Sequence, residues 1–302
     1  MNHHRESVVP DHPDVSIVMR VRNGEKWLSD TLKHVFGQNL DGTFEVIIVD
    51  NESTDRSLEI CKSFPTRILH ITRDEFSFGR SLNRGCEAAR GSVIVSMSQD
   101  TIPIGDYWLR TLVDYCRRPG IVGSSGLENL AYHRQGSVQH EPVIRLANQL
   151  EETLKKGGIG FHNANSAFLR DVWEKIPFDE EVVFGEDSCW AAAVLAAGHS
   201  LIVGVPAIVC HTSHNDEPFK QRARRYYLAI YERYRRGWSP RVRLHTVILL
   251  LLKGILRSIL KAAKLVVTET AMGAVRAYAT YKGSSQYEAL KRPNVADHLT
   301  RK

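Results

Sequence analysis

Four acidic residues and two histidines occupy positions from which side chains can do chemistry. Asp50 closes the run VIIVD and leads into Asn51-Glu52-Ser53-Thr54-Asp55. Asp100 lies in Ser98-Gln99-Asp100-Thr101, and Glu186 and Asp187 follow Gly185. His211 and His214 enclose Thr212-Ser213. A carboxylate at a strand end can accept a hydrogen bond from a ribose or base. A carboxylate at Asp100 could hold a hard divalent cation that neutralises a diphosphate. An acid in the Glu186-Asp187 pair could take a proton from a hydroxyl. The histidines could complete a metal site or contact a diphosphate. Each residue also has a plain structural alternative. Asp50 would cap a helix, Asp100 would be a turn aspartate, and Glu186-Asp187 would sit favourably on a helix dipole.

The surrounding pattern supplies elements to position these groups. Val15 to Val21 (VSIVMRV) is a β-branched run that predicts a buried strand, broken at Asn23-Gly24. Glu25 to Phe36 has helical spacing, and Phe44 to Val49 predicts a strand ending at Asp50. A helix follows through Cys61. A third strand is expected over Arg67 to Thr72, a helix over Ser81 to Ala89, and a fourth strand over Val93 to Ser96, ahead of Asp100. Tyr107 to Cys116 and Ser188 to Ala197 read as helices, and Leu201 to Val209 as a strand. Glu128 to Gly160 gives no clear pattern. Alternating strands and helices predict an α/β fold whose mostly parallel sheet is covered on both faces. Ligands bind at the carboxyl ends of strands in such sheets, where Asp50 and Asp100 fall.

A chain of 302 residues, 43% hydrophobic, can bury a sizeable core. Its five cysteines are odd in number and include no C-x-x-C pair. They suit a reducing compartment and argue against a disulfide framework or zinc knuckle. The first fourteen residues lack the apolar stretch of an export signal, so a cytoplasmic location is expected. The formal charge of +6 is unevenly spread, with thirteen Lys or Arg and two Glu between Glu217 and Lys264. That split predicts a basic segment meeting something anionic, joined to a body that does not.

In chain order the motifs are Asp50 with NESTD, Asp74 to Gly85 (DEFSFGRSLNRG), Ala89-Arg90-Gly91, SQDTIP, Asn163-Ala164-Asn165-Ser166-Ala167, Gly185-Glu186-Asp187 and the His-bearing loop. Over about residues 15–237 this ordered set resembles family 2 glycosyltransferases, especially rhamnosyltransferase-like members of cell-surface polysaccharide assembly. The resemblance implies a glycosyltransferase A fold and inverting transfer from a UDP-, dTDP- or GDP-sugar, assisted by Mg²⁺ or Mn²⁺. It implies donor contacts from Arg22, Asn23, Asp50, Glu52, Arg80, Asn83, Gln99 and Asp100, and acceptor contacts from Asn163 and Asn165. Asp187 would be the general base, with Glu186 positioning the base or acceptor. Asp100, His214 and, less directly, His211 would hold the metal. The second acid of the family's Asp-x-Asp motif is missing, because the run is Gln99-Asp100-Thr101. The domains expected are a catalytic body over 1–237, split into a nucleotide-sugar half (15–103) and an acceptor half (104–215), and a helical tail over 238–302.

A sugar-nucleotide pyrophosphorylase is the second enzyme class, but Arg20-Val21-Arg22-Asn23-Gly24 is not the Gly-rich loop it would want. No G-x-G-x-x-G follows a strand, which disfavours a dehydrogenase. The basic, Tyr-rich run from Lys220 to Trp238 prompts a non-enzymatic nucleic-acid-binding alternative. The same run reads more simply as a solvated or membrane-facing helix, with no nucleic-acid partner. From Arg243 to Val266 the basic residues Arg243, Lys253, Arg257, Lys261 and Lys264 fall on one side of a helical wheel, and most of the rest is apolar. Leu244 to Leu252 is far shorter than the ~20 residues a spanning helix needs. A helix lying on an anionic membrane is therefore expected, with the protein peripheral to the inner face of the cell membrane and its acceptor a lipid-linked glycan. A helix packed on protein is the alternative.

Overall fold

The computed structural model describes residues 10–128, 141–156 and 158–211, all within the unit Met1–Pro240. His214 and the expected tail lie outside the described residues. Strands β1 (Val15–Val21), β2 (Phe44–Asp50), β3 (Thr66–His70) and β4 (Val93–Ser98) alternate with helices α1 (Glu25–Phe36), α2 (Ser57–Lys62) and α3 (Phe78–Ala88). Then come β5 (Thr101–Pro103), α4 (Trp108–Cys116), β6 (Ile121–Glu128), β7 (Val143–Arg145), α5 (Leu150–Lys156), β8 (Asn165–Leu169), α6 (Arg170–Lys175), α7 (Glu186–Ala196) and β9 (Ser200–His211).

The apolar strands form because alternate side chains have a helical layer to bury against on either face. Ile17, Met19 and Ile48 join one core with residues of α1 and α4. Val18, Ile47 and Ile94 join a second core with residues of α3, α6 and α7. Helix α3 approaches closely at Gly85, where an added Cβ would collide with Val18 and Val49. It begins earlier than the apolar spacing suggests, because the Ser77 hydroxyl caps it by accepting from Arg80 N at 3.0 Å.

The strand order is β3-β2-β1-β4-β8-β6-β9-β5, with β7 also on β9. The parallel sheet expected from sequence holds for β3, β2, β1 and β4. Beyond β4 the sheet is mixed. Strand β8 runs antiparallel to both β4 and β6, while β6 and β9 are parallel. This reversal sets the site. Asn165, at the start of β8, pairs with Met97 near the end of β4. The chain just before β8 therefore arrives at the edge where β1, β2 and β4 end. At the same edge His211 of β9 pairs with Thr101, the neighbour of Asp100.

Candidate active site

The loops after β1 and β2 face one another and are cross-tied. Asn23 N donates to Ser53 Oγ at 3.1 Å, and Asn23 Oδ1 accepts from Thr54 N at 2.8 Å. Arg22 and Asn23 remain exposed. Gln99 clamps the first loop from the other side, accepting from Arg22 N at 2.8 Å and donating to Arg22 O at 3.0 Å. Asn23 and Glu52 both adopt left-handed backbone, with φ of 47° and 49°. That conformation is ordinary for Asn and costly for Glu, and such strain concentrates where function demands it. Glu52 is held there by accepting from Arg73 N at 3.0 Å. The Asp50 carboxylate is 1% exposed, 3.3 Å from Ser53 N and 3.4 Å from His70 Nδ1.

The second cluster surrounds Asp187. Gly185, with φ of 88°, turns the chain into α7 and puts Glu186 and Asp187 in its first turn. Glu186, 5% exposed, accepts from Arg20 Nη1 at 3.1 Å and from Asn163 Nδ2 at 3.2 Å. Asp187 accepts from Ser188 N at 2.6 Å and from Asn163 N at 3.3 Å. Burial and then the neighbouring Glu186 charge push the Asp187 carboxyl up to about 7, against weaker pulls from those amides and Arg20. A carboxylate poised near neutrality is suited to take and release a proton. Arg20 was missed as a site residue, although a lone cation inside VSIVMRV was a usable signal. Asn163 Oδ1 is buried without a hydrogen-bond partner, so a ligand hydroxyl or amide there would relieve a cost of about 1–3 kcal/mol.

The third cluster gathers around His211. Its Nε2 lies 3.3 Å from Asp100 Oδ2 and its Nδ1 lies 3.3 Å from Glu128 Oε1. Burial alone would lower the His211 pKa, but the two carboxylates outweigh it and raise it to about 9, so a cation taken up at Nε2 would displace a proton there. Among the described residues no group of three acids, histidines or cysteines is set to enclose a metal ion. Asp100 and His211 nevertheless bring oxygen and imidazole donors side by side. That set fits a Mg²⁺ or Mn²⁺ completed by diphosphate oxygens and water, since Mg²⁺ is commonly held by one or two carboxylates plus substrate phosphates.

Three residues expected to contact ligand are engaged by protein partners in this structure. Both amide hydrogens of Asn83 are spent on Phe178 O (2.8 Å) and Glu180 Oε1 (3.0 Å), and its oxygen accepts from Trp173 Nε1 and Phe178 N (3.0 Å each). Four bonds exhaust the group. Asn165, wholly buried, donates to Leu127 O and Ala207 O at 3.1 and 2.8 Å and accepts from Trp108 Nε1 at 2.8 Å. It joins β8 to its neighbours and to α4 and offers an acceptor nothing. Arg80 donates to Glu180 Oε2 at 2.7 Å and Glu75 O at 2.9 Å, at a polar cleft of about 350 Å³ lined also by His70, Arg84 and Glu87.

A parallel half-sheet with acids at its strand ends, extended by a mixed half that carries a poised carboxylate, defines the glycosyltransferase A fold. The chain belongs to glycosyl transferase family 2, whose sequence model matches residues 16–176. Among its relatives, an O-antigen chain rhamnosyltransferase, WbaN of Salmonella anatum, is 26% identical over 64% of this chain and 64% of its own length. The glycosyltransferase AglE of Haloferax volcanii is 26% identical over 66% and 67% of the two chains. The mannosyltransferase PcManGT of Pyrobaculum calidifontis, solved with GDP-Man and Mn²⁺, shares the fold at TM-score 0.57 and 20% identity over 97% of this chain and 84% of its own. Family membership sets aside the pyrophosphorylase and dehydrogenase alternatives.

Asn83→Ala tests the structural role of that residue. It should lower stability by about 2 kcal/mol or more, because Trp173 Nε1 and the Phe178 backbone lose buried partners. Nucleotide affinity of the folded protein, measured by calorimetry, should not change. Unchanged stability with weakened nucleotide binding would return Asn83 to the donor site.

Proposed function

We propose that the protein is an inverting glycosyltransferase that moves a hexosyl or deoxyhexosyl group from a nucleoside-diphosphate sugar to a hydroxyl, with a divalent cation at Asp100. The observation that carries this reading is the Asp187 carboxyl, raised to about 7 beside Glu186 at the edge where the nucleotide-half strands end. Asp187 takes the proton of the acceptor hydroxyl. The freed oxygen attacks the anomeric carbon, and the bond to the diphosphate breaks with its electron pair leaving on the diphosphate. One catalytic carboxylate suffices for a single displacement, and a single displacement inverts the anomeric centre. Arg20 and Asn163 hold Glu186 so that its charge acts on Asp187 from a fixed place.

The loop bearing Arg22 and Asn23, with Asp50 and Glu52, forms the donor's nucleoside end, and Gln99 fixes that loop through its backbone. Asn163 offers its buried Oδ1 to a sugar hydroxyl of donor or acceptor. Asp100 and His211 would hold the cation, which supplies charge stabilisation to the departing diphosphate. A Mn²⁺-dependent reading is supported by PcManGT, solved with GDP-Man and Mn²⁺. A lipid-linked glycan acceptor is supported by WbaN, named an O-antigen chain rhamnosyltransferase. Among the described residues no helix is long and apolar enough to cross a membrane. The basic, apolar pattern of 241–266 supports attachment to an anionic surface at the inner face.

Asp187→Asn should lower transfer, followed as nucleotide release from UDP-, GDP- and dTDP-sugars, by roughly two to four orders of magnitude. Nucleotide-diphosphate affinity should be almost unaffected, because the base acts on the acceptor. Wild-type turnover in this variant would remove Asp187 from the mechanism. For the membrane, the full chain should pellet with anionic vesicles at low salt, and a chain ending at residue 240 should not. Equal partitioning of the two would place the tail on protein instead.

A further inference from the structure

We infer that Glu128 is the residue that orients His211 for the cation site, holding its Nδ1 so that Nε2 faces Asp100. The inference rests on the cation reading above and adds a residue that no motif marks. The sheet itself builds the arrangement. Glu128, the last residue of β6, pairs with Val209 of β9, and His211 lies two residues further along that strand. Side chains two apart on a strand share a face, and diagonal neighbours across a pair are within reach. Glu128 Oε1 thus comes to 3.3 Å from His211 Nδ1, while Nε2 lies 3.3 Å from Asp100 Oδ2 on the far side of the ring.

An imidazole between two carboxylates can serve only one of them with each nitrogen. A histidine that binds a cation through one nitrogen generally gives its other N–H to a carboxylate or carbonyl, which fixes both tautomer and ring angle. Glu128 is the carboxylate placed to meet that requirement, as an ion-pair contact 3.3 Å from Nδ1 whose alignment in this structure falls short of a hydrogen bond. A rival stands beside it, since His162 Nδ1 is 3.7 Å from the same Oε1. That separation is beyond hydrogen-bond range, and His162 places its other nitrogen 3.2 Å from Gly126 O. A ring that donates there has no proton at Nδ1 for Glu128, so His162 does not compete with His211 for that oxygen. The arrangement bears on the missing second acid of the metal motif. Two residues to either side of Asp100 stand Ser98 and Ile102, neither of them an acid, and the neighbouring Gln99 spends its amide on Arg22. Glu128 brings a second negative charge to the cation site through the imidazole.

The test is a double-mutant cycle on Mn²⁺ affinity of the full chain. Free Mn²⁺ is followed by electron paramagnetic resonance, alone and with UDP, GDP or dTDP, and folding of each variant is checked by circular dichroism. His211→Ala should weaken Mn²⁺ binding. Glu128→Leu should weaken it by about 10–100-fold. Glu128→Gln, which can still accept from Nδ1–H, should fall between Glu128→Leu and wild type and keeps the test usable if the leucine variant misfolds. Because Glu128 acts through His211, the double variant should bind no more weakly than His211→Ala alone; a merely structural role would make the two losses add. If His211→Ala weakens binding but the Glu128 variants do not, or if the losses add, the orienting role is wrong and the cation reading survives. If His211→Ala changes nothing, the cation reading falls, and this inference falls with it.

Discussion

Glu186 is a buried charge, and the site depends on how that charge is held. An uncompensated carboxylate at 5% exposure costs several kcal/mol. Arg20 answers it from the end of the first strand, at 3.1 Å. The pair therefore fastens the opening turn of α7 to β1 across 166 residues of sequence. Arg20 is itself steadied by the Phe78 carbonyl at 3.2 Å and by the Phe78 ring, 4.9 Å from its guanidinium carbon. With Glu186 fixed and paired, the adjacent Asp187 carries the electrostatic consequence. Two neighbouring carboxylates thereby take different roles from different surroundings.

The far end of the site depends on the reversal of β8. In a wholly parallel sheet the chain before a strand would enter from the opposite edge. Here it enters where β4 ends, and so Asn163 can reach both Glu186 and Asp187. The same mixed half sets β6 beside β9 and delivers Glu128 and His211 to the Asp100 loop. The proposed mechanism would put nucleotide contacts on the parallel half, and proton and cation chemistry at the seam between the halves.

How much of this was legible follows from where each signal lives. Strands β1, β2 and β4 were plain in VSIVMRV, FEVIIVD and VIVSMS, because burial on both faces demands continuous apolar runs. Strand β6 was not, since IVGSSGLE carries two glycines and two serines where a central strand is expected to be apolar. Ser124 and Ser125 are buried there and spend their hydroxyls on Leu112 O and Asn165 O. Asp187, Glu186 and Asp100 were singled out by the ordered set of motifs, since an acid at a strand end or helix start also has a plain structural reading. The amides were not separable in the sequence, because Asn serves a ligand or a protein backbone equally well and only its placement decides. Glu128 carried no signal, since its role exists only once β9 lies alongside.

The mechanism turns on Asp187 being a base whose proton affinity is raised by burial and then by the Glu186 charge. The most direct measurement is the pH dependence of kcat/KM for nucleotide release, in the wild type and in Glu186→Gln. The base must be unprotonated to act, so wild-type activity should fall as pH drops through about 7. Removing the neighbouring charge should move that acid limb to lower pH. A wild-type limb in the ordinary carboxylate range, or a limb that stays in place when Glu186 is neutralised, would contradict the account.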